Sequence, residues 1–136
     1  MAVRLRIRIR RGSRKVETVA LLNSGYEAPS PQLLVPISTA EQLDLWPPKP
    51  TARIEDYDTA GGPLRVWVYR NAATVKVICE DAESKEVLVD IVVSPLADEP
   101  LISDKLAGRL EIAVEDFAEG LWRFRWEPKE KTRKTE

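Results

Sequence analysis

Histidine is absent from the 136 residues, and cysteine occurs once, at Cys79. The first absence excludes Ser-His-Asp and Cys-His catalysis and any histidine-ligated metal site. The second excludes an intrachain disulfide. Cys79 lies in an apolar stretch and reads as a small core residue, because a reactive thiol needs a base beside it. Acid–base chemistry therefore falls to Asp, Glu, Lys or Tyr, and neither a metal nor a cofactor is expected. No apolar run approaches the roughly 20 residues of a membrane span, so no membrane partner is expected. Arg4, Arg6, Arg8 and Arg10 interrupt the first apolar stretch, which lacks the shape of a signal peptide; a cytoplasmic protein is expected. The net charge of −1 provides no overall field for nucleic acid, which is not an expected partner. Asn, Gln, Met and Cys are scarce while Arg, Glu and Pro are plentiful, a balance that fits a thermophile.

Hydrophobic residues make up 43% and charged residues 32%, which suits one globular domain with a modest core. The expected division is a single domain over residues 1–127 and a charged tail over 128–136. Residues 129–136 mix Lys, Arg, Glu and Thr and read as a solvated, frayed end.

Residues 3–9 alternate strictly: Val3, Leu5, Ile7 and Ile9 face one way, and the arginines between them the other. Period two means a half-buried strand. A turn at residues 11–14 and a second strand over 15–22 make a hairpin. Asn23-Ser24-Gly25 ends that strand, and a Pro-rich loop follows. After the apolar run Leu33-Leu34-Val35, Ser38 and Glu41 have capping-box spacing and predict a helix over 39–45, stopped by Pro47 and Pro48. Residues 51–55 read as extended, residues 56–63 as a polar, glycine-rich hairpin tip, and residues 64–69 as the returning strand. Two more strands are predicted over 75–79 and 87–93, joined by a charged turn at 81–85. Ser103 caps a second short helix through Leu110. A strand over 112–114 follows, then one over 121–126 with Trp122, Phe124 and Trp126 on one face. The class is mainly β with two short helices, a chain that closes into a small barrel or a folded-over sheet.

The order of these pieces resembles a protomer of the retropepsin-like (retroviral-type) aspartic peptidases. In the resemblance, Val19-Ala20-Leu21-Leu22-Asn23-Ser24-Gly25 takes the place of the strand that ends in Asp-Thr/Ser-Gly. Residues 54–69 lie where the flap belongs, with Tyr57, Asp58, Thr59, Ala60, Gly61 and Gly62 as flap residues. Leu101-Ile102-Ser103 and the helix after it take the place of the second, apolar-apolar-Gly motif. The likeness spans about residues 3–117. It departs in three places: Asn23 for the aspartate, Ser103 for glycine, and a longer loop after Gly25.

The resemblance implies a mainly β, small closed barrel of the acid-protease type with two short helices, acting as a homodimer on an extended peptide or protein. Each protomer would bring one aspartate to a two-fold axis, where carboxylates about 3 Å apart share a proton. Ser24 would bond across the axis, Gly25 would allow close backbone approach, and residues 3–9 and 121–126 would interleave between subunits or pack within one protomer. Asn23 is neutral and takes up no proton near neutral pH, so the chain as written is expected not to cleave peptides. It is then a native pseudo-enzyme or an inactivated peptidase; the alternative is a peptide-binding or dimerisation module on the same fold. Asp56 and Asp58 read as hairpin-tip solubility. Asp90, among apolar residues, reads as a sheet-edge group or an arginine's partner. A third reading, a small β-barrel nucleic-acid binder using the arginine strand, would show salt-dependent retention of DNA or RNA.

Overall fold

The computed structural model describes residues 2–136. Strand β1 (Arg4–Arg11) turns at Gly12-Ser13 into β2 (Arg14–Leu22), and the two pair in antiparallel register, with Arg4 opposite Leu21. Alternation decides which face is buried: Leu5, Ile7 and Ile9 are fully enclosed. The outward arginines each meet a carboxylate: Arg4 with Glu99, Arg6 with Glu136, Arg8 with Glu17 and Arg10 with Glu86. The outward arginine row is thus charge-compensated along its length.

Strands β3 (Gln32–Val35), β4 (Arg53–Thr59), β5 (Gly62–Val77), β6 (Val87–Val93) and β7 (Leu101–Ile102) complete one sheet. Its order is β1-β2-β7-β3-β6-β5-β4, and β1 also pairs with β5. That extra pairing closes six strands into a barrel and leaves β4 outside the ring, carried by β5 alone. Inside the barrel Leu5, Ile7, Leu33, Val75, Ile91 and Ile102 form one apolar core. Two short helices flank it, α1 (Ile37–Gln42) and α2 (Asp104–Arg109). A second sheet, in the order β10-β9-β8, comprises β8 (Ile112–Asp116), β9 (Leu121–Phe124) and β10 (Arg133–Lys134). The mainly β barrel with two helices is as expected; several local details differ.

The first helix starts two residues before the expected start. Pro36 is its N-cap and its carbonyl accepts from Ala40 N–H, so Ser38 falls inside the first turn and caps nothing. The helical stretch ends at Gln42, with Leu43 as C-cap. The stretches 64–69 and 75–79 are not separate strands. β5 runs through the polar interval between them on a bulge, with Asn71 at φ 47° and its N–H donated to Asp90 Oδ1 at 2.8 Å. The hairpin tip is also shorter than the polar stretch suggested. β4 and β5 pair as far as Thr59 and Gly62, leaving Ala60-Gly61 as the loop. Gly62 has φ 110°, a conformation other residues rarely adopt.

Residues 129–136 are not frayed. Arg133 and Lys134 pair with Trp122 and Leu121, and Glu136 N–H donates to Arg4 carbonyl. Arg133 bonds both Glu127 and Asp81, which fixes the end of the chain against the barrel. Trp122 and Phe124 are buried in this chain's own core, and Trp126 lies beyond β9, exposed and stacked on Phe124.

Candidate functional site

The loop after β2 is built by backbone bonds. Asn23 N–H donates to Ile102 carbonyl at 3.1 Å, because β7 runs parallel beside β2, with Leu22 opposite Ile102. Asn23 Oδ1 accepts from Gly25 N–H at 3.1 Å, and Asn23 carbonyl accepts from Tyr26 N–H. The side chain thus closes its own turn, a habit of Asn and Asp at such positions. Ser24 is exposed, and its hydroxyl has no hydrogen-bond partner among the described residues.

β7 also lies antiparallel to β3, so Ile102 faces both Leu22 and Leu33. Ser103 follows, fully buried. Its hydroxyl oxygen accepts from Leu106 N–H, capping α2 as expected, and from Gln32 N–H at 3.0 Å. A glycine has no oxygen for either bond, so Ser103 gives this position a structural role of its own. The longer loop is tied down in the same way: Asp104 N–H donates to Tyr26 carbonyl, and Asp104 Oδ1 accepts from Ala28 N–H.

Gly25 and the loop after it form one wall of a cleft of about 690 Å³, and the β4–β5 hairpin forms another. Of the site residues marked out by the resemblance, Gly25, Tyr57 and Asp58 line this cleft. Asn23 and Ser24 stand beside it at the end of β2, and Leu101-Ile102-Ser103 support the loop from β7. Thr59 to Gly62 form the hairpin tip, where Thr59 Oγ1 donates to Gly62 carbonyl and accepts from Gly61 N–H. Asp56 also lines the cleft and pairs with Arg65 across the hairpin at 3.5 Å.

The cleft floor holds a polar chain that the sequence reading missed. Gln32 Oε1 accepts from Tyr26 OH at 2.8 Å and from Tyr57 OH at 3.1 Å. Gln32 Nε2 donates to Ser30 Oγ, and Ser30 Oγ donates to Asp90 Oδ2 at 2.7 Å. Asp90 is buried with neither an arginine partner nor a sheet edge; Ser30 and the Asn71 N–H satisfy it instead. Burial raises the Tyr26 phenol well above the ordinary tyrosine range, with Tyr57 and Asp90 adding to the effect, and burial raises Tyr57 as well. Both phenols therefore remain donors at neutral pH. The available signal was positional: Gln32 is a polar residue heading an apolar run, and Tyr26 directly follows the Asn-Ser-Gly turn.

Beneath the tyrosines lies a second apolar cluster on the outer side of the barrel wall, formed by Leu34, Val66, Val68 and Val92. Among the described residues, no group of His, Cys, Asp and Glu is arranged to hold a metal ion. No described helix is long and apolar enough to cross a membrane. Compared with known proteins, the chain matches no protein-family model and no curated protein.

Proposed function

We propose that this chain is one protomer of a retropepsin-like aspartic peptidase dimer in which Asn23 holds the catalytic position, so that it takes up an extended peptide without hydrolysing it. The observation that carries the reading is the placement of Asn23-Ser24-Gly25. The turn leaves β2 where β7 lies between β2 and β3, beside a cleft walled by the β4–β5 hairpin. The exposed Ser24 hydroxyl, without a partner among the described residues, suits a bond across a two-fold axis. An extended peptide would lie between floor and hairpin, held by main-chain bonds.

The chemistry of position 23 is the ground for expecting no cleavage. Hydrolysis by a carboxyl dyad needs one ionised member to take a proton from water and one protonated member to polarise the carbonyl. Two asparagine amides supply neither. An aspartate at position 23 would accept the Gly25 N–H as the asparagine does, so the turn tolerates the exchange. The expected outcome is that Asn23→Asp cleaves a peptide library at acidic pH while the parent does not, at equal protein concentration. A dimer with its two residue-23 side chains far apart would sink the proposal. Saturable peptide binding with no turnover in either form would favour the alternative, a binding module on the same fold.

A further inference from the structure

The two tyrosines on Gln32 arrive from different bodies. Tyr26 belongs to the loop after β2 and is fixed at both ends of its peptide unit, N–H to Asn23 carbonyl and carbonyl from Asp104 N–H. Gln32 is pinned on the floor by reciprocal bonds with Ser103, N–H to the hydroxyl and carbonyl from the backbone N–H. Tyr57 sits on β4, whose only strand partner is β5. Among the described residues, its phenol makes the one side-chain hydrogen bond from the hairpin to the barrel floor. A carbonyl oxygen has two lone pairs, and here both are filled, one from the fixed side and one from the hairpin.

We infer that Gln32 is the latch of this cleft: its Oε1 holds the β4–β5 hairpin down through Tyr57 in the ligand-free chain, and a ligand enters by displacing that phenol. The Tyr57 ring is half-buried against the second apolar cluster, so closing the hairpin combines one hydrogen bond with partial ring burial. Lifting the hairpin breaks one bond to Gln32 and leaves Tyr26 on the other lone pair, so the floor keeps its shape. The freed lone pair then faces the cleft as an acceptor for an incoming N–H. Such a lid opens by a local equilibrium well below the free energy of global unfolding. That the occupant is an extended peptide rests on the function proposed above; the latch itself does not.

The test reads opening directly in the ligand-free chain. Val92 is fully buried in the cluster under Tyr57, and Val92→Cys nearly preserves its size. In a Cys79→Ser background, alkylation of that thiol by iodoacetamide reports how often the hairpin lifts. Tyr57→Phe keeps the ring and removes the bond, and is expected to raise the labelling rate about three- to tenfold, the worth of one such hydrogen bond. Tyr26→Phe removes the other donor from the fixed side and is expected to leave the rate unchanged. An unchanged rate in Tyr57→Phe, or an equal rise in both variants, overturns the latch. A chain that binds no peptide does not alter these outcomes, so the latch and the proposed function fail separately.

Discussion

Glu127 shows what a single residue does here that its sequence neighbours do not suggest. Its side chain is 2% exposed, and it accepts from Arg133 and from Phe124 N–H. Arg133 in turn spans Glu127 and Asp81 and lies over the rings of Trp122 and Phe124. Removing one member of a buried pair leaves the other charged and poorly solvated. Glu127→Ala is expected to lower the unfolding free energy by about 3 kcal/mol, near the low end for such pairs because Asp81 still holds Arg133. Urea unfolding monitored by tryptophan fluorescence measures it. Glu127→Gln keeps an acceptor for Phe124 N–H and is expected to lose less. Nothing in the run Glu127-Pro128-Lys129-Glu130 marks the first glutamate as the buried one, since charged tails of this composition are ordinarily solvated.

Among the elements, β5 best separates local signal from tertiary outcome. Its sequence reads as two strands because Arg70-Asn71 is polar and breaks the alternation. The structure keeps it as one strand by placing Asp90 of β6 under the bulge, where it accepts the Asn71 N–H that the ladder leaves over. A buried N–H without a partner costs about 1–3 kcal/mol. Asp90→Ala is therefore expected to destabilise by that amount, with Asp90→Asn closer to the parent because an amide oxygen can serve Asn71. A thermal melt in which Asp90→Ala matches the parent would mean the bulge stands without it. The β1–β2 hairpin and α2 were legible for the opposite reason. Strict alternation and an N-cap serine act over a few residues, and both are satisfied by their own segment. The capping box at Ser38 had the right spacing but lost to Pro36, whose extended conformation already sets the helix start.

For the whole molecule, the carboxylates decide the pH range. Glu127 and Glu99 lie below the usual glutamate range, first because arginine side chains hydrogen-bond them, Arg133 and Arg4 respectively. Arg4 and Glu99 tie β1 to the loop before β7, and Arg133 and Glu127 tie β10 to the end of β9. A carboxylate whose folded pKa is depressed adds stability that is fully present above its unfolded value, about 4.3 for glutamate, and is lost as pH falls through the folded value. The melting temperature is therefore expected to be level from about pH 7 down to pH 5 and to fall below about pH 4. Circular dichroism melts across that range check the sign. A peptidase assay of Asn23→Asp must accordingly stay above the pH at which the fold itself loosens.

The sequence by itself determined the strand-rich class, the two strands and turn of the first hairpin and the exclusion of histidine chemistry, because these follow from side-chain period and residue type within short segments. It also located the Asn23-Ser24-Gly25 turn and the hairpin opposite it, each a local pattern of turn residues after a strand. Only the tertiary structure decided that β1 and β5 close the barrel, that the charged end of the chain docks on Arg4, and that Tyr26 and Tyr57 meet on Gln32. Those contacts join residues far apart in the chain. Their partners are chosen by which polar groups remain unsatisfied once the core is packed, and no short stretch of sequence records that choice.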